Sequence, residues 1–188
     1  MKCCFIVGLL LLITSCSNLQ EGKRNSDPAA TTSPAVPAGD TTNDTLVQTS
    51  NSIPQQIVAY AKTLIGTPYK YASTDPKQGF DCSGFITYVF NHFNIEVPRS
   101  SVDFTNAYPE VPTTDAKQGD LILFTGTDST DGIVGHMGII VSNVNDSITF
   151  IHSTSGKAFG VTITPLNAYY RSRFVKVVSV FQKYYSMK

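Results

Sequence analysis

Phe80-Asp-Cys-Ser-Gly-Phe-Ile-Thr-Tyr-Val-Phe-Asn-His-Phe93 is the stretch from which the fold can be read. Phe85, Ile86, Val89, Phe90 and Phe93 recur at helical spacing and predict a helix from Cys82 to about Phe93 with one apolar stripe. Asp81 stands where a capping side chain is wanted, so Cys82 falls in the first turn. Free N–H groups and the positive end of the dipole there favour a thiolate. Upstream, Ile53, Ile57, Ala61, Leu64 and Ile65 predict an earlier helix, with Pro54 tolerated in its first turn and Gly66-Thr67-Pro68 as its stop. A short third helix is predicted through Ser100 to Ala107, after Pro98. Beyond it the texture changes to apolar runs at 120–124, 136–141, 147–152, 160–163 and 174–181, most of them separated by Gly, Asn and Asp. Helices first and a meander of strands afterwards predict an α+β fold, N-terminal helices packed on a C-terminal antiparallel sheet. Phe85, Phe90, Phe93, Phe124 and Phe150 are assigned to its core.

The whole chain has 188 residues, room for one domain and some extras. Lysine plus arginine, 14, balance aspartate plus glutamate, 14, and charged residues make up only 15%. A neutral chain has no electrostatic footprint for nucleic acid, and none is expected as a partner. A monomer is expected. Lys2 followed by the apolar run Phe5 to Ile13 suits the core of an export signal and is too short to span a bilayer. Residues 1–15 are therefore read as a signal peptide. Ile13-Thr-Ser-Cys16 resembles the lipobox of bacterial lipoproteins, in which the Cys is acylated and becomes the first mature residue; the alternative is an ordinary cleaved signal with an incidental Cys. On the first reading Cys16 anchors the chain to the lipid bilayer, Cys3 and Cys4 leave with the signal, and Cys82 is the last free thiol. Residues 17–52, rich in Ser, Thr, Asn, Pro and Ala, cannot bury a core and are read as a disordered tether with a span of roughly 30–35 Å. The domain is then 53–188.

A lone thiol in an exported chain is either a buried filler or a nucleophile, and its neighbours decide. Three histidines are candidates for its base. His92 lies ten residues along the same helix, about 15 Å away by helical rise, and is assigned to the surface. His136 begins one predicted strand and His152 ends the next. If those strands form an antiparallel hairpin turning near Asn143 to Asp146, the two imidazoles are neighbours. Nucleophile at a helix start, base on a facing strand and a third polar group orienting the base is the logic of a catalytic triad. Zinc is the competing chemistry, but spacings of 54 and 16 residues between Cys82, His136 and His152 fit no compact metal motif. Asp81 is open to two roles, helix cap or substrate contact, Arg99 reads as an ion-pair partner, and Gly119-Asp120 as a turn launching a strand.

Gly66-Thr-Pro-Tyr-Lys-Tyr71, Phe80-Asp-Cys-Ser-Gly-Phe85, Val97-Pro-Arg-Ser-Ser101, Gln118-Gly-Asp-Leu-Ile-Leu-Phe124, Gly135-His-Met-Gly-Ile139 and Phe150-Ile-His-Ser153 together resemble the successive motifs of the NlpC-type cell-wall peptidases. The likeness is greatest to single-domain outer-membrane lipoprotein members that cleave peptidoglycan crosslinks. It implies a papain-like α+β fold, Cys82 as nucleophile, His136 as base and His152 as orienter. It further implies that Tyr69 supports the active site, that Asp81 and Ser83 contact the peptide, and that no metal or organic cofactor takes part. Peptidoglycan is the implied partner and the periplasmic face of the outer membrane the implied place. The D-alanyl–diaminoacid crosslink is favoured over the γ-D-glutamyl–diaminoacid bond. The chain departs from the family pattern at Ala72-Ser73, where paired glycines are usual, and at Asp103-Phe104, where Gln is frequent. A non-catalytic peptidoglycan-binding lipoprotein and an acyltransferase on the same fold are the rival readings.

Overall fold

Helix α1 (Ile53–Thr63) starts where the Gln55 carboxamide reaches back to accept from the Ser52 N–H at 2.8 Å, and it buries Ile57, Val58 and Ala61. Gly66, at φ 88°, turns the chain away after it. The computed structural model describes residues 51–182 apart from 129 and 131. The expected signal peptide, Cys16 and the expected tether up to 50, and the chain from 183, lie outside the described residues. A two-residue hairpin, β1 (Thr74–Asp75) with β2 (Gly79–Phe80), leads into helix α2 (Cys82–Asn91). Asp81 caps α2, its carboxylate accepting from the Gly84 N–H at 2.6 Å. The apolar stripe is buried as its spacing predicts: Phe85, Ile86, Val89 and Phe90 have no exposed surface, each contributing roughly 1.5–3 kcal/mol. Phe93 is only half-buried, at the edge of that cluster.

The short third helix expected over Ser100 to Ala107 is a 3₁₀ helix at Ser101–Asn106. Of its residues only Phe104 is buried, too little apolar contact to hold a full α-helical face. The rest of the domain is a six-stranded sheet: β3 (Glu110–Val111), β4 (Leu121–Thr125), β5 (Val134–Val144), β6 (Ser147–Thr154), β7 (Gly160–Pro165) and β8 (Phe174–Val178), in spatial order β3-β8-β4-β5-β6-β7. Every neighbouring pair is antiparallel. A one-turn helix α3 (Ala168–Arg171) precedes β8.

The sheet is covered on both faces, which explains the uninterrupted apolar run of β4. Leu121 and Leu123 join Met137, Ile139 and Ile151 under α1 and α2. Ile122 and Phe124 turn the other way, with Ile140, Phe150 and Val177, towards Tyr170 of α3. The β5–β6 hairpin turns on Asn145 and Asp146, at φ 50° and 60°, the left-handed pair that a two-residue turn between right-twisted strands requires. That turn sets the register as far as Ser142 with Thr149, and a bulge at Val141 then shifts it by one residue, which puts His136 and His152 on the same face.

Candidate active site

Cys82 is the first residue of α2, and its position is fixed from both sides. The Asp81 N–H donates to Ser73 O at 3.2 Å, and a Cβ on Gly84 would stand 2.1 Å from that same carbonyl oxygen, so only glycine fits there. The thiol lies 3.7 Å from the carbonyl oxygen of Gly135 at the start of β5, and the residue is 9% exposed. Burial pushes the thiol up to about 11, with the Asp81 carboxylate adding to the shift; backbone N–H groups of Ser83, Cys82 and Met137 pull the other way and do not win. The helix-start argument predicted a lowered thiol pKa. The structure reverses it, because removing the sulfur from water outweighs the orphan N–H groups.

His136 and His152 come together as the hairpin predicted. Ile139 pairs with Ile151 across β5 and β6, and that register continued by one residue sets His152 opposite Gly138, diagonal to His136. Nε2 of His136 and Nδ1 of His152 are 2.8 Å apart, and Nε2 of His152 is 2.9 Å from Oγ1 of Thr164 on β7. The half-buried His136 ring packs beside Phe124 and Tyr170, with centroids at 6.0 and 6.1 Å. His152 has no exposed surface. Burial first, then the neighbouring His152 and Arg173, hold His136 well below the usual imidazole range; burial lowers His152 to about 4. Both rings are therefore neutral near pH 7. Two assignments of protons satisfy the run, and the one that frees a ring nitrogen of His136 as a base has His136 donating from Nε2 to His152 Nδ1 and His152 donating from Nε2 to Thr164. Nδ1 of His136 is then an acceptor.

Cys82 sits between two arms of one cleft. The larger, about 850 Å³, is lined by His136, Thr164, Tyr169, Tyr170 and Arg173; the smaller, about 430 Å³, by Tyr71, Ala72, Asp81, Ser83 and Arg99. Cys82, Tyr69 and Gly135 border both. Burial raises the phenol pKa of Tyr69, and the acidic groups of Cys82 and Asp81 add to the shift. Asp81 is committed to more than the cap: Arg99 grips both its carboxylate oxygens, at 3.0 and 2.7 Å, and also donates to Ser83 Oγ at 3.0 Å. The ion-pair reading of Arg99 therefore holds. His92 is exposed and stacks on Tyr60 at 3.8 Å between centroids, away from the cleft. Among the described residues no three His, Cys, Asp or Glu side chains are grouped to hold a metal ion.

The family model described as NlpC/P60 matches residues 66–179. The chain belongs to the NlpC/P60 family. Of its relatives, a γ-DL-glutamyl hydrolase of Bacillus subtilis is 33% identical over 63% of this chain and 28% of its own length. LytE of the same organism, named a probable peptidoglycan endopeptidase, is 36% identical over 64% of this chain and 32% of its own. The chain thus spans about a third of the length of these two relatives or less. Among solved structures, an NLP/P60 family protein from Staphylococcus aureus described as similar to a lipoprotein superposes with a TM-score of 0.58 at 28% identity, over 68% of this chain and 41% of that one. The papain-like α+β fold of NlpC/P60 domains is the fold found here.

Two features of this NlpC/P60 site escaped the sequence reading. Thr164 lies just past the run predicted at 160–163, with no role assigned to it, and only the pairing of β6 with β7 brings it to His152. Arg173 sits beside a charged neighbour, Arg171, in a segment without period, and nothing local marks it as facing the cleft. Ala72, where the family has glycine, takes φ 57° in the left-handed region, so the backbone keeps a glycine-like turn at a steric cost to alanine.

Proposed function

We propose that the protein is a cysteine peptidase that hydrolyses an amide in the stem peptides of peptidoglycan, with Cys82 as nucleophile, His136 as base and His152 as its orienter. The observation that carries this reading is the hydrogen-bonded run His136–His152–Thr164 ending in the same cleft as the Cys82 thiol. A domain that only binds peptidoglycan has no need of such a run. Thiol and imidazole are both neutral at rest, so the Cys82 proton passes to Nδ1 of His136 as sulfur attacks the scissile carbonyl. The oxyanion meets the Cys82 N–H and a second donor, with Tyr69 supporting the site at the junction of the arms. His136 then gives its proton to the leaving nitrogen as the carbon–nitrogen bond breaks, and water, activated by the same ring, hydrolyses the thioacyl intermediate. Asp81 and Ser83 border the acyl arm, where Arg99 holds them rigid for contact with the peptide.

The test is release of soluble muropeptides from purified sacculi. The parent should release them, Cys82→Ala should not, and release should survive strong chelation but not thiol alkylation. Release unchanged in Cys82→Ala overturns the mechanism.

The favoured bond is the D-alanyl–diaminoacid crosslink. The likeness to a protein named γ-DL-glutamyl hydrolase supports a second reading, cleavage of the γ-D-glutamyl–diaminoacid bond. A purified crosslinked dimer separates them: monomeric tetrapeptides mean the crosslink, dipeptide-bearing products the stem bond. The anchoring belongs to the same proposal: signal peptide at 1–15, lipid on Cys16, a tether to 52 and a monomeric domain from 53, held at the periplasmic face of the outer membrane. The likeness to a structure described as similar to a lipoprotein supports it. Mass spectrometry of the mature N-terminus should find a diacylated Cys16; an unmodified start ends the idea.

A further inference from the structure

Among the described residues that line it, the larger arm of the cleft contains two cations, Arg173 and Lys157, and no carboxylate. The ion pairs among the described residues are Arg99 with Asp81 and Lys176 with Glu110, so no described carboxylate pairs with Arg173. It is firmly mounted. Arg173 stands just before β8, its carbonyl accepting from the Thr125 N–H at 2.8 Å while its Nη2 donates to the Thr125 carbonyl at 2.7 Å. Nη1 donates to the Tyr169 hydroxyl, and the guanidinium lies 5.0 Å from the centre of that ring. Nε is buried without a hydrogen-bond partner. A half-buried, pre-oriented guanidinium with each terminal nitrogen giving only one bond is built to receive an anion, and its fork matches a carboxylate.

The position says which half of the substrate carries that anion. His136 must protonate the leaving nitrogen, so the leaving group lies on the His136 side of Cys82, and that is the arm containing Arg173. Asp81, Ser83 and Arg99 border the opposite arm, where a negative and a positive group already satisfy each other. We propose that Arg173 is a specificity-determining residue that binds a free carboxylate borne next to the leaving nitrogen of the substrate. The inference rests on the peptidase reading above and deepens it. Where the crosslinking residue is a diamino dicarboxylic acid, the carbon that bears the leaving nitrogen of the crosslink also bears a free carboxylate, whereas within a tetrapeptide stem the matching carboxyl of that residue is tied up in the next amide. The receptor also has a consequence for chemistry: the Arg173 charge is one of the groups that lower the proton affinity of His136, and a bound carboxylate offsets it, so the base strengthens when the right leaving group arrives.

Two matched pairs of substrate test this. One pair is a crosslinked dimer with that carboxyl free and the same dimer with it converted to a carboxamide. The other, for the stem bond, is a tripeptide stem ending in the free diamino acid and its carboxamide. For whichever pair is cut, the parent should prefer the free carboxylate by roughly 10- to 100-fold in kcat/KM. Arg173→Gln should bring the ratio to within about 2-fold, slowing the carboxylate substrate without slowing the carboxamide in proportion, and Arg173→Lys should keep part of the preference because the charge remains. A parent that cuts both members at equal rates overturns the inference and leaves the peptidase reading standing. Arg173→Gln slowing both members in proportion makes Arg173 a structural prop and also overturns it. A folded parent that cuts neither pair overturns the peptidase reading itself, and the inference with it. Should Arg173→Gln fail to fold, the parent ratio and the Lys variant decide.

Discussion

Cys82 and His136 differ from a stored ion pair, and the difference can be measured. A thiol pushed up to about 11 and an imidazole held well below its usual range leave both groups neutral over the working pH range. Activity needs His136 unprotonated, so the acidic limb of kcat/KM should fall below the ordinary imidazole value of 6.5. In His136→Ala the thiol titrates alone, and its alkylation rate should climb only at strongly alkaline pH. A limb at or above 6.5, or fast alkylation of that variant at pH 7, contradicts the neutral pair. His152 acts through His136, so the expected order of activity is parent, then His152→Asn, then His152→Ala. Asn can still accept from Nε2 of His136, whereas Ala should lose roughly 10²–10⁴-fold. Thr164→Val should also lower kcat with little change in KM, since the buried His152 N–H loses its acceptor and the tautomer that orients His136 is no longer favoured. Equal activity of His152→Ala and the parent removes His152 from the mechanism.

At the scale of elements, the site depends on how closely β5 and β6 approach. A Cβ on Gly138 would stand 2.6 Å from the Phe150 ring and 2.9 Å from the Ile151 carbonyl, with His152 Cβ at 3.3 Å. The backbone contact cannot yield as a side chain can, so Gly138→Ala should prise the hairpin apart beside His152, costing about 2 kcal/mol or more of stability and most of the activity. Thermal unfolding and turnover measured together check this, and a variant with parent-like values of both refutes it. The hairpin was legible in the sequence because its strands are long, its turn residues are diagnostic and its histidines sit at its open end. The β1–β2 hairpin, β3 and α3 were not, since elements of two to four residues carry no period. The direction of the Cys82 shift was misread for a related reason. Helix position is local and visible, but the burial that overrides it comes from tertiary packing, in which the thiol lies against the carbonyl of Gly135, 53 residues along the chain.

At the scale of the molecule, the two histidines pack against Phe124, Phe150 and Tyr170 of one core, and neutral rings held there make the fold sensitive to acid. His152 titrates at about 4 in the folded chain against 6.5 when exposed, so from pH 6.5 downward the unfolded chain binds the extra proton first. Stability is whole above 6.5 and is lost as the pH falls towards 4, by about 3 kcal/mol from this group. His136, displaced in the same direction, adds to the loss. Asp120 works against it: burial raises its pKa, so the folded state takes up that proton more readily and gains stability as the pH falls. A single acid melting curve mixes these contributions, and a difference between two proteins separates them. His152→Asn keeps an acceptor for His136, removes one titrating ring and leaves Asp120 untouched. Chemical denaturation of parent and variant at pH 7 and pH 4 should therefore show the parent losing about 3 kcal/mol more than His152→Asn between the two. Parallel losses would mean that the buried His152 is not what couples protonation to unfolding.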